Sequence, residues 1–88
     1  MRMKDLERIL KAFANKRRLA ILEYLKKNKE ANVGEIAEEI ELSLKSTSRH
    51  LAVLSGADIV DREQRSLMVF YKIAPQQKVA AKHILSLL

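Results

Sequence analysis

Behind Ser43, four side chains that carry charge or hydrogen-bond, Lys45, Ser46, Ser48 and Arg49, fall within five residues of one another. Leu44, Thr47, Leu51 and Leu54 recur among them at three- and four-residue spacing, which predicts a helix running to about Ser55, with Ser43 as its N-cap and those four turned inward. The polar residues then occupy the faces left over. A guanidinium there can pair bidentately with the N7 and O6 acceptors of guanine, and an ammonium or hydroxyl group takes a base edge or a phosphate oxygen. An ordinary solvated face uses the same residue types, so the surrounding elements must decide between the two.

Two smaller groups offer similar chemistry. Lys16, Arg17 and Arg18 begin a second helix, where the helix dipole prefers acids and a bound phosphate would offset the mismatch. Arg62, Gln64 and Arg65 sit near the end of a hairpin whose expected polar tip is Gln64, Arg65 and Ser66. Catalytic chemistry is not in evidence, because no Ser/His/Asp or Cys/His set, glycine-rich phosphate loop or paired carboxylates stand out. The chain has no cysteine and only His50 and His83, so thiolate metal sites, disulfides and thiol redox sensing are excluded, and no metal or cofactor is expected. His50 reads as a packing residue or phosphate contact, and His83 as an interface residue.

The elements that position these groups can be traced along the chain. Met3, Leu6, Ile9, Leu10 and Phe13 mark a first helix, and Asn15 caps a second running from Lys16 to about Lys27. Asn32 with Glu35 forms a capping box for a third helix starting at Val33, with Val33, Ile36, Ala37 and Ile40 on one face. Only Glu41 and Leu42 separate it from the helix behind Ser43, which forces a sharp corner. Alternation from Ile59 to Glu63 and from Leu67 to Ile73 predicts the hairpin. Pro75 suits the first turn of a last helix carrying Val79, Ala80, Ile84, Leu87 and Leu88. The fold class expected is mainly α with a small antiparallel β-hairpin, in one domain over residues 1–88: a first dimer helix (1–14), a winged-helix core (15–73) and a C-terminal dimer helix (74–88).

Charge is unevenly distributed. Of a net +6, residues 1–30 carry ten Lys/Arg against four acids and residues 45–88 seven against three, whereas residues 31–44 carry four Glu and no base. That segmentation favours a polyanionic partner met by defined faces. No apolar run approaches the ~18 residues of a membrane span, so a soluble, cytoplasmic protein is expected. The apolar stripes at both ends, Leu6, Ile9, Leu10 and Phe13 in the first helix and Val79, Ile84 and Leu87 in the last, exceed what one small core should absorb, and are expected to pair in a homodimer with His83 on the same face.

From Ala12 to Ile73 the chain resembles the ArsR-type family of small prokaryotic transcriptional regulators. AFANKRRLAILEYL is similar to that family's opening signature, with Lys16 where proline is usual, VGEIAEEIELSLKSTSRHLAVL to its helix-turn-helix, and the hairpin ending FYKI to its wing. The resemblance implies a winged helix-turn-helix fold and a homodimeric repressor that binds a palindromic site on double-stranded DNA, its wing touching a flanking minor groove or backbone. Departures are Glu41, Asp58 and Ser66 at turn positions where the family commonly has glycine, Leu44 where a polar residue is usual, and Leu67 and Met68 where further wing arginines are usual. Metal-sensing members use cysteines or paired His and carboxylates at the ends of the third or last helix, a set this chain lacks, so its effector is left unknown. A winged-helix protein-interaction module and a non-specific architectural DNA binder are the alternatives.

Overall fold

The computed structural model describes all residues, Met1–Leu88, as five helices and a three-stranded antiparallel sheet: α1 Met3–Phe13, α2 Lys16–Asn28, β1 Glu30–Asn32, α3 Val33–Ile40, α4 Leu44–Gly56, β2 Val60–Arg65, β3 Met68–Ile73 and α5 Val79–Leu85. The strands lie in the order β1-β3-β2. This is the winged helix-turn-helix arrangement, with α3 and α4 as the two helices of the turn and β2–β3 as the wing. No helix is long and apolar enough to cross a membrane.

Local chemistry fixes the helix starts. The Asn15 side chain accepts from the amides of Arg17 and Arg18, Asn32 and Glu35 close a reciprocal capping box, and Ser43 Oγ accepts from the Ser46 amide at 3.1 Å. The ends of α3 and α4 are equally well defined. Leu42 N donates to Ala37 O and Glu41 N to Glu38 O, and Ile59 N donates to Leu54 O and Asp58 N to Ser55 O, so each helix finishes in a Schellman motif. Both motifs need a left-handed residue, and Glu41 (φ 56°) and Asp58 (φ 60°) supply it without glycine. Ser66 (φ 58°) does the same at the first loop position of the wing, where glycine is the default. The three positions at which glycine was missing therefore keep the backbone that glycine would give.

The core lies between the helices and the inner face of the sheet. Ile21, Leu22 and Leu25 of α2, Ile36 of α3, Leu51 and Leu54 of α4, and Ile59 and Val60 entering β2 are all buried. One element was not expected, and three expectations need correction. Strand β1, which pairs Glu30, Ala31 and Asn32 with Lys72, Tyr71 and Phe70, was not anticipated. Pro75 does not open the last helix: α5 begins at Val79, and the intervening turn is held by Gln77, whose Nε2 donates to Ile59 O and Ala74 O. Gln64 and Arg65 belong to β2, pairing with Val69 and Met68, so the wing tip is Ser66 and Leu67. Leu44 is not turned inward but is 57% exposed in the first turn of α4.

Candidate nucleic-acid interface

The corner at Glu41–Leu42 and the Ser43 cap aim the N-terminal turns of α4 out of the domain. Beneath the helix Thr47, Leu51 and Leu54 are fully buried, and this anchors its rotation. Lys45, Ser48 and Arg49 are consequently exposed, while Ser46 is half-buried against the body. Ala52, one turn beyond Ser48, is exposed as well and extends the outward face with a side chain too small to obstruct close approach. Sequence reading passed over it, although the four-residue spacing from Ser48 was the available signal. An α-helix is of a width to enter a major groove, and the side chains exposed here are of the types that bond base edges and phosphates.

The wing separates three residues that were expected to act together. Directly opposed residues in an antiparallel pair share a face. Arg62 opposes Tyr71 and Gln64 opposes Val69, so both lie on the face that packs toward the helices, whereas Asp61, Glu63 and Arg65 share the other face with Lys72, Phe70 and Met68. Four of the five N–H groups of Arg65 are engaged there. Its Nη1 and Nη2 donate to the two carboxylate oxygens of Glu30 at 2.9 and 2.7 Å, Nε and Nη2 donate to Glu63, and the guanidinium stands 4.4 Å above the Phe70 ring. The hydrogen bond from Arg65 holds the Glu30 carboxyl below its usual range, and the bonds to Glu30 and Glu63 raise the affinity of Arg65 for its proton. Glu30 is 35 residues away and unreadable as a partner from local pattern. Leu67 at the tip is 95% exposed.

At the start of α2, Lys16 and Arg17 are exposed and line an open groove of about 440 Å³ together with Glu23, Tyr24, Lys27, Glu39 and Glu41. The acids of the α3–α4 corner thus share that groove with the basic pair. Arg18 turns the other way, donating from Nε to Ala12 O at 2.7 Å and from Nη2 to Lys11 O at 3.0 Å. Its Nη1 lies 3.2 Å from Nδ1 of His50 on α4, a hydrogen bond that requires the His50 proton on Nε2. Burial first, then the charges of Arg18 and Arg17, lowers the His50 pKa from its ordinary value. His83 is exposed on α5, and no three His, Asp or Glu side chains come together as a metal-ligand set.

The terminal helices leave an apolar surface. Leu10 is 49% and Val79 82% exposed, with Met3 and Leu87 likewise uncovered and Leu6 and Ile84 half-buried. Ile9 and Phe13, expected in the same interface, are instead 2% and 4% exposed and belong to the chain's own core, because α1 packs against α2, α4 and α5 of the same chain.

Residues 15–62 match the family described as bacterial regulatory protein, arsR family. Over 77 residues, 88% of this chain and 70% of the relative, the sequence is 39% identical to the transcriptional activator HlyU of Vibrio cholerae serotype O1. A solved structure of HlyU from V. cholerae superposes with a TM-score of 0.81 at 34% identity, covering 99% of this chain and 92% of that one. The homodimeric winged helix-turn-helix DNA-binding domain Mb0332 from Mycobacterium bovis, solved by NMR, gives a TM-score of 0.82 at 28% identity over 97% of this chain and 75% of that one.

Proposed function

We propose, since the chain belongs to the arsR family of bacterial regulatory proteins, that it acts as a homodimeric repressor which places one α4 from each subunit in successive major grooves of a palindromic operator. It is a DNA-binding transcriptional regulator, not an enzyme. The observation that carries the reading is the disposition of α4: Lys45, Ser48 and Arg49 point to solvent while Thr47, Leu51 and Leu54 lock the helix from below. Arg49 reads guanine, Lys45, Ser46 and Ser48 take base edges or phosphates, and Leu44 meets a thymine methyl.

Arg62 and Gln64, on the helix-facing side of the wing, contact the flanking duplex, and Lys16 and Arg17 approach its backbone. Arg65 is a brace for the wing rather than a DNA contact. Met3, Leu6, Leu10, Val79, His83, Ile84 and Leu87 form the dimer face, between residues 1–14 and 74–88. Regulation proceeds in the cytoplasm without a metal-sensing site, because the chain has no thiolate and its two histidines stand on separate helices. Excluding polymerase from an overlapping promoter gives repression. A second reading, activation, is favoured by the identity to a transcriptional activator, and the two differ in where the operator lies, not in how α4 reads it.

Selection of bound duplexes from a random pool tests this. The expected product is an inverted repeat whose half-sites are about 10 bp apart centre to centre, bound roughly 10³-fold or more tightly than random duplex. Recovery of no consensus would leave an architectural binder.

A further inference from the structure

Arg18 is a half-buried guanidinium whose partners are two carbonyls and an imidazole, with no carboxylate within 4 Å. Charge withdrawn from water is ordinarily compensated by an ion of opposite sign. Of its five N–H groups three are engaged, so two remain to donate. Beside it an open groove of about 330 Å³ runs between α1 and α4, walled by Lys4, Arg8, Lys11 and Arg18 and floored by Ala12 and Val53. Glu7 is the single carboxylate lining it, 3.8 Å from Lys11. Arg8 is tied by Nη1 to Gly56 O at 3.3 Å, which fixes its stem and leaves its remaining donors available. Four cations around one carboxylate make a site for an anion.

Its position says which anion. Val53 follows Arg49 by one helical turn on α4, so the groove continues directly from the face that carries Arg49. At 3.6 residues per turn Leu10 leaves α1 about 160° from Arg8, about 120° from Lys4 and about 100° from Lys11, so a two-fold contact centred on Leu10 lies to one side of the three α1 cations. We propose that the α1–α4 groove clamps a phosphate of the DNA backbone outside the bases that α4 reads, making Lys4, Arg8, Lys11 and Arg18 a sequence-independent contact; this rests on the operator reading above.

The test compares wild type with the Lys4→Gln/Arg8→Gln pair, the Lys29→Gln/Lys72→Gln far pair, two exposed residues outside the groove, as an equal change in net charge, and Arg49→Ala. Affinity for the selected operator and for random duplex is measured across a salt series. The groove pair should flatten the dependence of log K on log salt by about 0.9 for each phosphate no longer neutralised, equally on both duplexes, and leave the operator preference unchanged. The far pair should leave the slope as in wild type. An unaltered slope in the groove pair, or an equal change in the far pair, overturns the clamp. If Arg49→Ala still relaxes base preference in that case, the operator reading stands without it. Failure of wild type to prefer any duplex would overturn the operator reading itself, and an unflattened slope on random duplex the clamp.

Discussion

Thr47 holds the centre of α4 against the core with its Oγ1 buried and unpartnered. A hydroxyl in that position costs desolvation without a compensating bond, typically about 1–3 kcal/mol, whereas a methyl of the same shape would not. Thr47→Val is therefore expected to leave stability unchanged or raise it by about 1 kcal/mol, read from urea denaturation. Glu41 tells a related story in the backbone. Its left-handed conformation costs a non-glycine residue about 1–2 kcal/mol, part of which glycine would return as greater freedom of the unfolded chain, so Glu41→Gly should stabilise by no more than about 1 kcal/mol. His50 is where residue chemistry meets pH. Because its folded pKa lies below the ordinary 6.5, the unfolded chain takes up the proton first; the stability that the neutral imidazole contributes is complete above about pH 6.5 and is lost as pH falls through the lowered folded value. His50→Gln should flatten the decline in melting temperature between about pH 7 and pH 5, and an undiminished decline would show that other groups cause it. These features separate what sequence can say from what it cannot. The missing glycines were legible as departures, but that Glu41, Asp58 and Ser66 would each hold the left-handed backbone was settled only by the Schellman bonds and the wing turn that demand it.

Among the elements, those with long periodic patterns were legible. The capping residues Asn15, Asn32 and Ser43 marked three helix starts to the residue, because a side-chain acceptor followed by an amphipathic run has few other uses. β1 was hidden because three residues contain one buried position, Ala31, too little for alternation to register, and because its last residue, Asn32, doubles as the cap of α3. Leu44 followed the apolar spacing of α4 yet lies exposed, since the first turn of that helix projects past the core that its later turns cover. The wing's face assignment also needed the register: only pairing with β3 shows that Arg65 is turned toward Glu30 while Arg62 and Gln64 are turned the other way. Glu30→Gln removes the bidentate partner of Arg65, so amide exchange in β2 and β3 near the tip should quicken while exchange in α2 and α4 stays as in wild type. Acid should act likewise. Glu30 titrates below its usual value, so the brace is intact above about pH 4.5 and lost as pH falls through the lowered folded pKa. Equal acceleration throughout the chain would mean that the pair supports the whole fold rather than the wing.

For the whole molecule the relevant distance is that between two copies of α4. A single chain offers one short recognition helix, and the specificity of an inverted repeat comes from holding two in register across a dyad. The exposed Leu10 and Val79 are the side chains whose loss should matter most to that register, since Ile9 and Phe13 are consumed by the monomer's own core. Leu10→Asp is expected to give a folded monomer in sedimentation equilibrium, binding a single half-site as wild type would but the full palindrome about 10²- to 10⁴-fold more weakly. A dimer that survives both Leu10→Asp and Val79→Asp would place the interface elsewhere. That the outward face of α4 reads DNA is tested by the change in backbone amide resonances when the selected operator is added to the labelled protein. The largest shifts should fall on Lys45–Ala52, with smaller ones at Arg62 and Gln64 and none at Glu30 or Lys72; shifts concentrated on the outer face of the sheet, with α4 unmoved, would contradict it.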